Sequence, residues 1–286
     1  MNSSPLSFAA LLGLSDLIDV VDVGANPIDG DPPYKPLLDR GAARIFGFEP
    51  NPEALAKLNA MKGPNETYFP NAVYDGKEQI LKVCASPGMT SLLEPNTELL
   101  ANFHGMPTWG EVKERIPMAT TRLDDIEGIP NVDYLKIDIQ GGELEVFKNG
   151  VNHLSTCLVV HTEVEFLPMY HGQPLFSEVE QFLRSQGFVF HSFVQMMSRA
   201  VRPFRANGDL YGGFGQVFWS DAVFVKDFTK FDGLSPLQLK KVALILHDLY
   251  GASDLAMRAL MELDRKSATD FAPRFVAFLS GTLLPE

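Results

Sequence analysis

Positive charge is what this chain has least of: 24 Lys and Arg stand against 36 Asp and Glu, a formal net charge of −12 over 286 residues. A partner gripped through many phosphates needs clustered cations, so nucleic acid is not expected as one. Cysteine is almost missing. Cys84 and Cys157 lie far apart and form no CxxC pair, which excludes a structural zinc site or a disulfide framework and leaves two small buried hydrophobes. No run of ~18 apolar residues occurs, so membrane insertion is not expected either. The opening MNSSPLSFAALLGLSD has no basic leader, and with reduced cysteines it reads as a soluble, cytoplasmic protein. His104, His153, His171, His191 and His247 show no metal-ligand spacing. Internal repeats and low-complexity tracts are lacking too.

What is present is an alternation of short apolar runs and helically spaced segments from Leu17 to about Lys226, the signature of βαβ units. It predicts strands at Ile18–Val23, Ala43–Phe48, Thr67–Pro70, Ile80–Cys84, Tyr134–Ile139, Leu158–Phe166, Phe188–Val194 and Val217–Val225. Helices are expected at Pro52–Met61, Gly142–Lys148 and Ser177–Ser185, the last with Ser177 as N-cap and Glu180 completing a capping box. Pro87–Pro130 is rich in Pro, Gly, Asn and Thr and reads as an irregular excursion with one or two short helices. After Phe231 the texture changes. Ser235-Pro236 offers an N-cap and a proline at the first helical position, and Leu255–Leu263 and Phe271–Leu279 continue a helical appendix. The expected fold is α/β, a Rossmann-like and mostly parallel sheet with an antiparallel last strand. Residues 1–228 would form its domain and 229–286 a helical extension that packs on the sheet or on a second copy in a homo-oligomer.

Chemistry is suggested at strand ends. The first strand runs out in Asp22-Val23-Gly24-Ala25-Asn26, an acid, a glycine and an amide where open α/β sheets bind ligands. No G-x-G-x-x-G occurs there, so a ligand without a pyrophosphate fits better. The second strand ends in Glu49, placed to accept from both ribose hydroxyls of a nucleoside; the alternative is that Asp22 and Glu49 are ordinary loop acids. In Asp133-Tyr-Leu-Lys-Ile-Asp138, Lys136 and Asp138 share a face, so Asp138 is half of an ion pair with Lys136, a site residue, or both. Glu143, in the first turn of the next helix, has a structural reason to be there in the helix dipole. In Leu158–Phe166 a period of two puts His161, Glu163 and Glu165 on one face at intervals of ~6.6 Å. Three polar residues in line make poor core, so this strand end is expected to open onto a cleft. Asp138, Glu163 and Glu165 also have the oxygen ligands that Mg²⁺ takes. Arg199, Arg202 and Arg205 form a basic patch beside Tyr211-Gly-Gly-Phe-Gly215, which either recognises an anion on a substrate or pairs with the protein's own acids.

In order along the chain, VVDVGAN, GFEPNP, SLLEP, TTRLDDI, DYLKIDIQGGELEVFKNG and HTEVEFLPMYHGQPLFSEVEQFLRSQGF resemble the FkbM family of methyltransferases, over roughly Ile18 to Phe190. The resemblance implies a class I methyltransferase fold with S-adenosylmethionine at the carboxyl ends of the first strands. It implies that Asp22, Gly24, Ala25 and Asn26 surround the methionyl part and that Glu49, with Pro50 beside it, holds the ribose. Asn71 and Ala72 would lie near the adenine, Ser91 near the sulfonium, and Asp138 and Gln140 in the methyl-transfer cleft. One departure stands out: members usually have a glycine two residues after the Asn of GAN, whereas this chain continues Pro27-Ile28-Asp29-Gly30-Asp31.

The expected activity is direct in-line transfer of the methyl group to a hydroxyl of a sugar or natural product, a small-molecule or glycan acceptor that can be anionic. Asp138, Glu163 and His161, in that order, are candidates to take the hydroxyl proton. The rival readings are a non-catalytic adenosyl-ligand or partner-binding protein on the same fold, and an NAD-dependent oxidoreductase, which the missing glycine motif disfavours.

Overall fold

In the computed structural model, which describes residues 7–26 and 30–281, the early apolar runs become the middle of one sheet. The first six residues of the opening segment, and Pro27–Asp29 of the departing turn, lie outside the described residues. Helix α1 (Phe8–Leu11) leads into β1 (Ile18–Val23), α2 (Lys35–Asp39), β2 (Ala43–Phe48), α3 (Pro52–Met61) and β3 (Glu66–Phe69). The start of α3 is set by Asn51-Pro52. The Asn51 carboxamide oxygen accepts from the Glu53 and Ala54 N–H groups, and proline at the first position needs no acceptor of its own. A side sheet of β4 (Ala72–Tyr74), β5 (Glu78–Cys84) and β6 (Val112–Arg122) follows, with α4 (Thr97–Leu100) and α5 (Met106–Trp109) between its last two strands. The main sheet resumes with β7 (Tyr134–Ile137), α6 (Glu143–Lys148), α7 (Val151–Thr156), β8 (Val159–Glu165), α8 (Phe176–Ser185), β9 (Phe188–Ser198) and β10 (Val217–Lys226). The chain closes with α9 (Pro236–Tyr250), α10 (Ser253–Ser267) and α11 (Phe271–Leu279).

The seven strands of the main sheet run β3-β2-β1-β7-β8-β10-β9; β3 through β8 are parallel, and β10 is antiparallel to both its neighbours. This is the mostly parallel sheet with an antiparallel last strand that the alternation predicts. Chain order reverses at β1, which has β2 on one side and β7 on the other, and a crevice opens at such a point. Helices α9 to α11 bury one face of the sheet: Leu239, Val242 and Leu246 share a core with Ile18, Val20, Tyr134 and Val223. Residues of α6, α7 and α8 cover the other face. As expected, Ser235 caps α9, with Gln238 completing a capping box, and Gly251 ends the helix in the left-handed region.

Three expectations need correction. Ile80–Cys84 does not join the parallel sheet; as β5 it pairs antiparallel with β6 in the side sheet. The supposed irregular excursion holds β6, an eleven-residue strand. Its interior Pro117 is tolerated because β4 pairs only with Thr120–Arg122, leaving the backbone at 117 bonded on one side. Helix α8 starts at Phe176, where Glu178 accepts from the Leu175 N–H; Ser177 spends its hydroxyl on Glu178 and Glu180 pairs with Arg184 instead of capping.

Candidate active site

A cavity of about 1070 Å³ opens at the carboxyl ends of β1, β7 and β8 and extends over the adjoining ends of β9 and β10. Its floor starts at Asp22. Tyr34 donates its hydroxyl to Asp22 Oδ2 at 2.6 Å and Lys136 Nζ stands 3.2 Å from Oδ1. Burial pushes the Asp22 carboxyl up, and Lys136 and Tyr34 draw it only part of the way back. Lys136 also donates to the Gly24 carbonyl at 2.9 Å. The cation on β7 therefore pairs with Asp22 across the parallel register, and Asp138 is left for other partners. Burial by itself lowers the Lys136 ammonium, but Asp22 and Asp138 more than offset it and hold the group charged. Gly24 has φ +82°, and a Cβ there would sit 2.0 Å from the Asp138 carbonyl oxygen. Only glycine lets the β1 and β7 turns touch.

Of the residues singled out in the sequence, Asp22, Ala25, Asn26, Asp138, Gln140, His161 and Glu163 line this cavity. Glu49, Pro50, Asn71, Ala72, Ser91 and Gly24 do not form its wall. Glu49 is buried at the end of β2 with Oε1 accepting from the Asn51 N–H at 2.7 Å, and burial raises its pKa. Asn71 donates to Thr121 Oγ1, and Ala72 begins β4. Ser91 donates to the Gln140 carbonyl at 2.7 Å and accepts from the Leu93 N–H, so it anchors the loop that carries Gln140.

Gln140 stands in the left-handed region at φ +63°, unusual for a residue with a side chain. Its Nε2 donates to Asp138 Oδ1 at 2.9 Å and to Glu163 Oε2 at 3.0 Å, while Tyr170 donates to its Oε1. Glu143 completes the group by accepting from the Ile139 and Gly141 N–H groups, and carboxylate oxygens of Asp138, Glu143 and Glu163 lie within 4.8 Å of one another. Acids this close cannot all ionise. Burial, with Asp138 adding to it, pushes Glu143 up to about 7, and burial with Asp138, Glu165 and Glu143 nearby raises Glu163 well above the ordinary carboxyl range. Glu165, 1% exposed, does not reach the cavity, so Glu143 takes the place it was expected to fill. N–H donors engage one oxygen of each of the three clustered acids, and the other oxygen of each leaves the group able to hold a metal ion such as the Mg²⁺ considered from the sequence, with Glu143 in place of Glu165.

On β8, His161 Nδ1 lies 3.0 Å from the Tyr250 hydroxyl, which is 2.7 Å from Tyr134 Oη, and Nε2 lies 3.8 Å from Asp221 Oδ2. Sequence reasoning passed over Asp221 and Tyr250. The first carried a signal, an acid inside an apolar strand, which the antiparallel register sets opposite Glu163. Tyr250 carried none, being the last residue of a helix distant in the chain. Of the three arginines, Arg199 lines the cavity, whereas Arg202, which donates to the Ala101 carbonyl, and Arg205 are exposed.

A crevice at the point where a parallel sheet reverses its strand order, floored by an acid and a glycine turn and closed by an antiparallel strand, defines an α/β enzyme of the class I methyltransferase type. More narrowly, the chain belongs to the FkbM methyltransferases: the Methyltransferase FkbM domain matches residues 22–190. It is 28% identical over 190 residues to the 2-O-methyltransferase NoeI of Sinorhizobium fredii (strain NBRC 101917 / NGR234), an alignment covering 58% of this chain and 74% of that protein. Similar solved structures include magnesium protoporphyrin IX methyltransferase (ChlM) from Synechocystis PCC 6803 with bound SAM, at 11% identity and a TM-score of 0.39, covering 77% of this chain and 76% of that one. TrmK of M. capricolum in complex with S-adenosyl-homocysteine is similar at 8% identity and a TM-score of 0.36, covering 91% and 95%.

Proposed function

We propose that the protein is an S-adenosylmethionine-dependent O-methyltransferase whose acceptor is a hydroxyl of a sugar or natural product. The observation that carries this reading is the single cavity joining the Asp22–Asn26 turn to the Asp138, Glu163 and His161 side chains. Its residues fit the cofactor. Acids outnumber cations on the wall, which suits a sulfonium, and the volume accommodates a nucleoside-sized ligand with an acceptor beside it. Gly24 brings the β1 turn directly against the β7 turn beside the cavity, and Glu49, which follows β2 behind its wall, is the residue we assign to the ribose. The relative NoeI, a 2-O-methyltransferase by name, supports oxygen as the atom methylated.

When bound, S-adenosylmethionine supplies an electrophilic methyl group. The protein's task is to hold the acceptor oxygen in line and to take its proton. Asp138 is the first choice for that proton, because Gln140 fixes its carboxylate while Glu163 holds its own proton to higher pH. His161 is the alternative, oriented by Tyr250 on one nitrogen and facing Asp221 with the other. Residues 1–228 form the methyl-transfer unit in this reading, and 229–286 buttress it. Calorimetric titration with S-adenosylmethionine and S-adenosylhomocysteine tests the assignment. Micromolar binding lost in Glu49→Ala is expected, whereas folded protein that binds neither compound refutes it.

A further inference from the structure

Away from the acid cluster, the cavity wall carries a buried cation that no carboxylate of the described residues pairs with. Arg199, the residue after β9, is 7% exposed. One guanidinium nitrogen donates to the carbonyls of Tyr211 (2.7 Å) and Ser198 (3.3 Å), Nε meets no acceptor, and among the described residues no carboxylate pairs with it. Burial lowers its pKa, and Asp209 and Tyr211 offset this only in part. Lys136, by contrast, is answered by Asp22. A guanidinium withdrawn from water and left without an anion is costly to keep, and its position on a ligand cavity gives it a use.

The frame around it is aromatic and rigid. The guanidinium carbon lies 4.9 Å from the Trp219 ring centroid and 5.8 Å from that of Tyr211, and Tyr211 stacks on Trp109 at 5.1 Å. A Cβ on Gly105 would come within 2.9 Å of the Tyr211 ring, so the stack rests directly on that backbone. Trp109, Trp219 and Arg199 all face the cavity, and they include both tryptophans of the chain. Four strand spacings of the sheet order, ~19 Å, separate β9 from β1, so Arg199 serves a different part of the contents than the Asp22–Asn26 turn does.

We infer that Arg199, Trp109 and Trp219 form the acceptor subsite, and that the acceptor is a ring carrying an oxyanion: the ring lies against the tryptophans and the anion pairs with the guanidinium. The hydroxyl to be methylated then points back toward Asp138 and His161. The word acceptor rests on the methyl-transfer reading; the recognition of an anionic ring does not. Planar guanidinium suits carboxylate, phosphate or sulfate alike, and the probes below separate them.

Because both tryptophans sit here, intrinsic tryptophan fluorescence reports occupancy directly. The full chain, saturated with S-adenosylhomocysteine, is titrated with methyl glucuronide, phosphorylated glucose, sulfated glucose and the neutral methyl glucoside. At least one anionic ring should give a saturable change about tenfold or more tighter than the neutral one, weakened by about 0.5 M NaCl and lost in Arg199→Gln. A neutral glycoside that binds as tightly as the anionic ones overturns the inference. So does anion binding that survives Arg199→Gln, or silence of every anionic probe up to about 20 mM. Should Arg199→Gln fail to fold, the charged-against-neutral comparison in the unaltered protein still decides. Calorimetry with S-adenosylhomocysteine is read separately, so failure of the cofactor reading and failure of the subsite are distinguishable.

Discussion

Glu143 is one of the residues whose proton bears on stability. Its folded pKa, about 7, stands above the ordinary 4.5, so the folded chain holds this proton more tightly than the unfolded chain does. The stabilisation is complete below the ordinary value and is lost as pH rises through the folded one. Thermal unfolding midpoints should therefore fall between about pH 4.5 and about pH 7, and Glu143→Gln, which keeps an acceptor for the Ile139 and Gly141 N–H groups, should fall less steeply. Parallel curves for the two proteins would refute the assignment. Gln140 makes a complementary case. Its left-handed backbone costs about 1 kcal/mol that glycine would not incur, while its amide ties Asp138 to Glu163. Gln140→Gly should leave the melting temperature equal or higher and lower methyl transfer by about tenfold or more, a kcat loss measured at saturating cofactor. At this scale strand periodicity made Asp138, His161 and Glu163 legible, since polar side chains on buried strands stand out from their neighbours. Glu143 was not, because a carboxylate at a helix start has an ordinary explanation there, and nothing in the sequence says that two further acids fold against it.

At the scale of elements, α9 does more than cover the sheet. Lys241 pairs with Asp133 at 2.5 Å, both nearly buried, and Asp133 also accepts from the N–H of Asp19, the second residue of β1. Lys241→Met should destabilise the fold by about 3–5 kcal/mol by leaving that acid alone, and adding Asp133→Asn should recover part of the loss in a denaturant titration. Tyr250, at the far end of the same helix, is expected to act on His161: Tyr250→Phe removes one hydroxyl, costs about 1 kcal/mol of stability and should shift the pH profile of methyl transfer without changing S-adenosylhomocysteine affinity. An unchanged profile would reduce Tyr250 to packing. The helix itself was plain from Ser235-Pro236 and its apolar spacing, yet its partners were not, because a periodic pattern names the buried face without naming what it meets. The reverse holds for β6, whose polar VKERIPMATTR hides a strand that is only partly covered.

For the molecule as a whole, α9 to α11 share a core with β1, β2 and β7, so these helices are expected not to be detachable from the sheet. A chain ended after residue 228 would expose Val20, Tyr134 and Val223, and it should lose its near-ultraviolet circular dichroism and cooperative melting. A truncated protein that still melts sharply would show the helices to be an accessory.

The FkbM match stops at residue 190, the third residue of β9. Arg199, Trp219, Asp221 and Tyr250 all come later in the chain, although they share or adjoin one cavity with Asp22 and Asn26. In the proposed reading the acceptor meets Trp109, Asp138 and His161 from the matched stretch and Arg199 and Trp219 from the stretch that follows it, all on the wall of one chamber. A lineage could exchange the second stretch, and with it the anion-binding half of that contact, without altering one residue by which its ancestry is read.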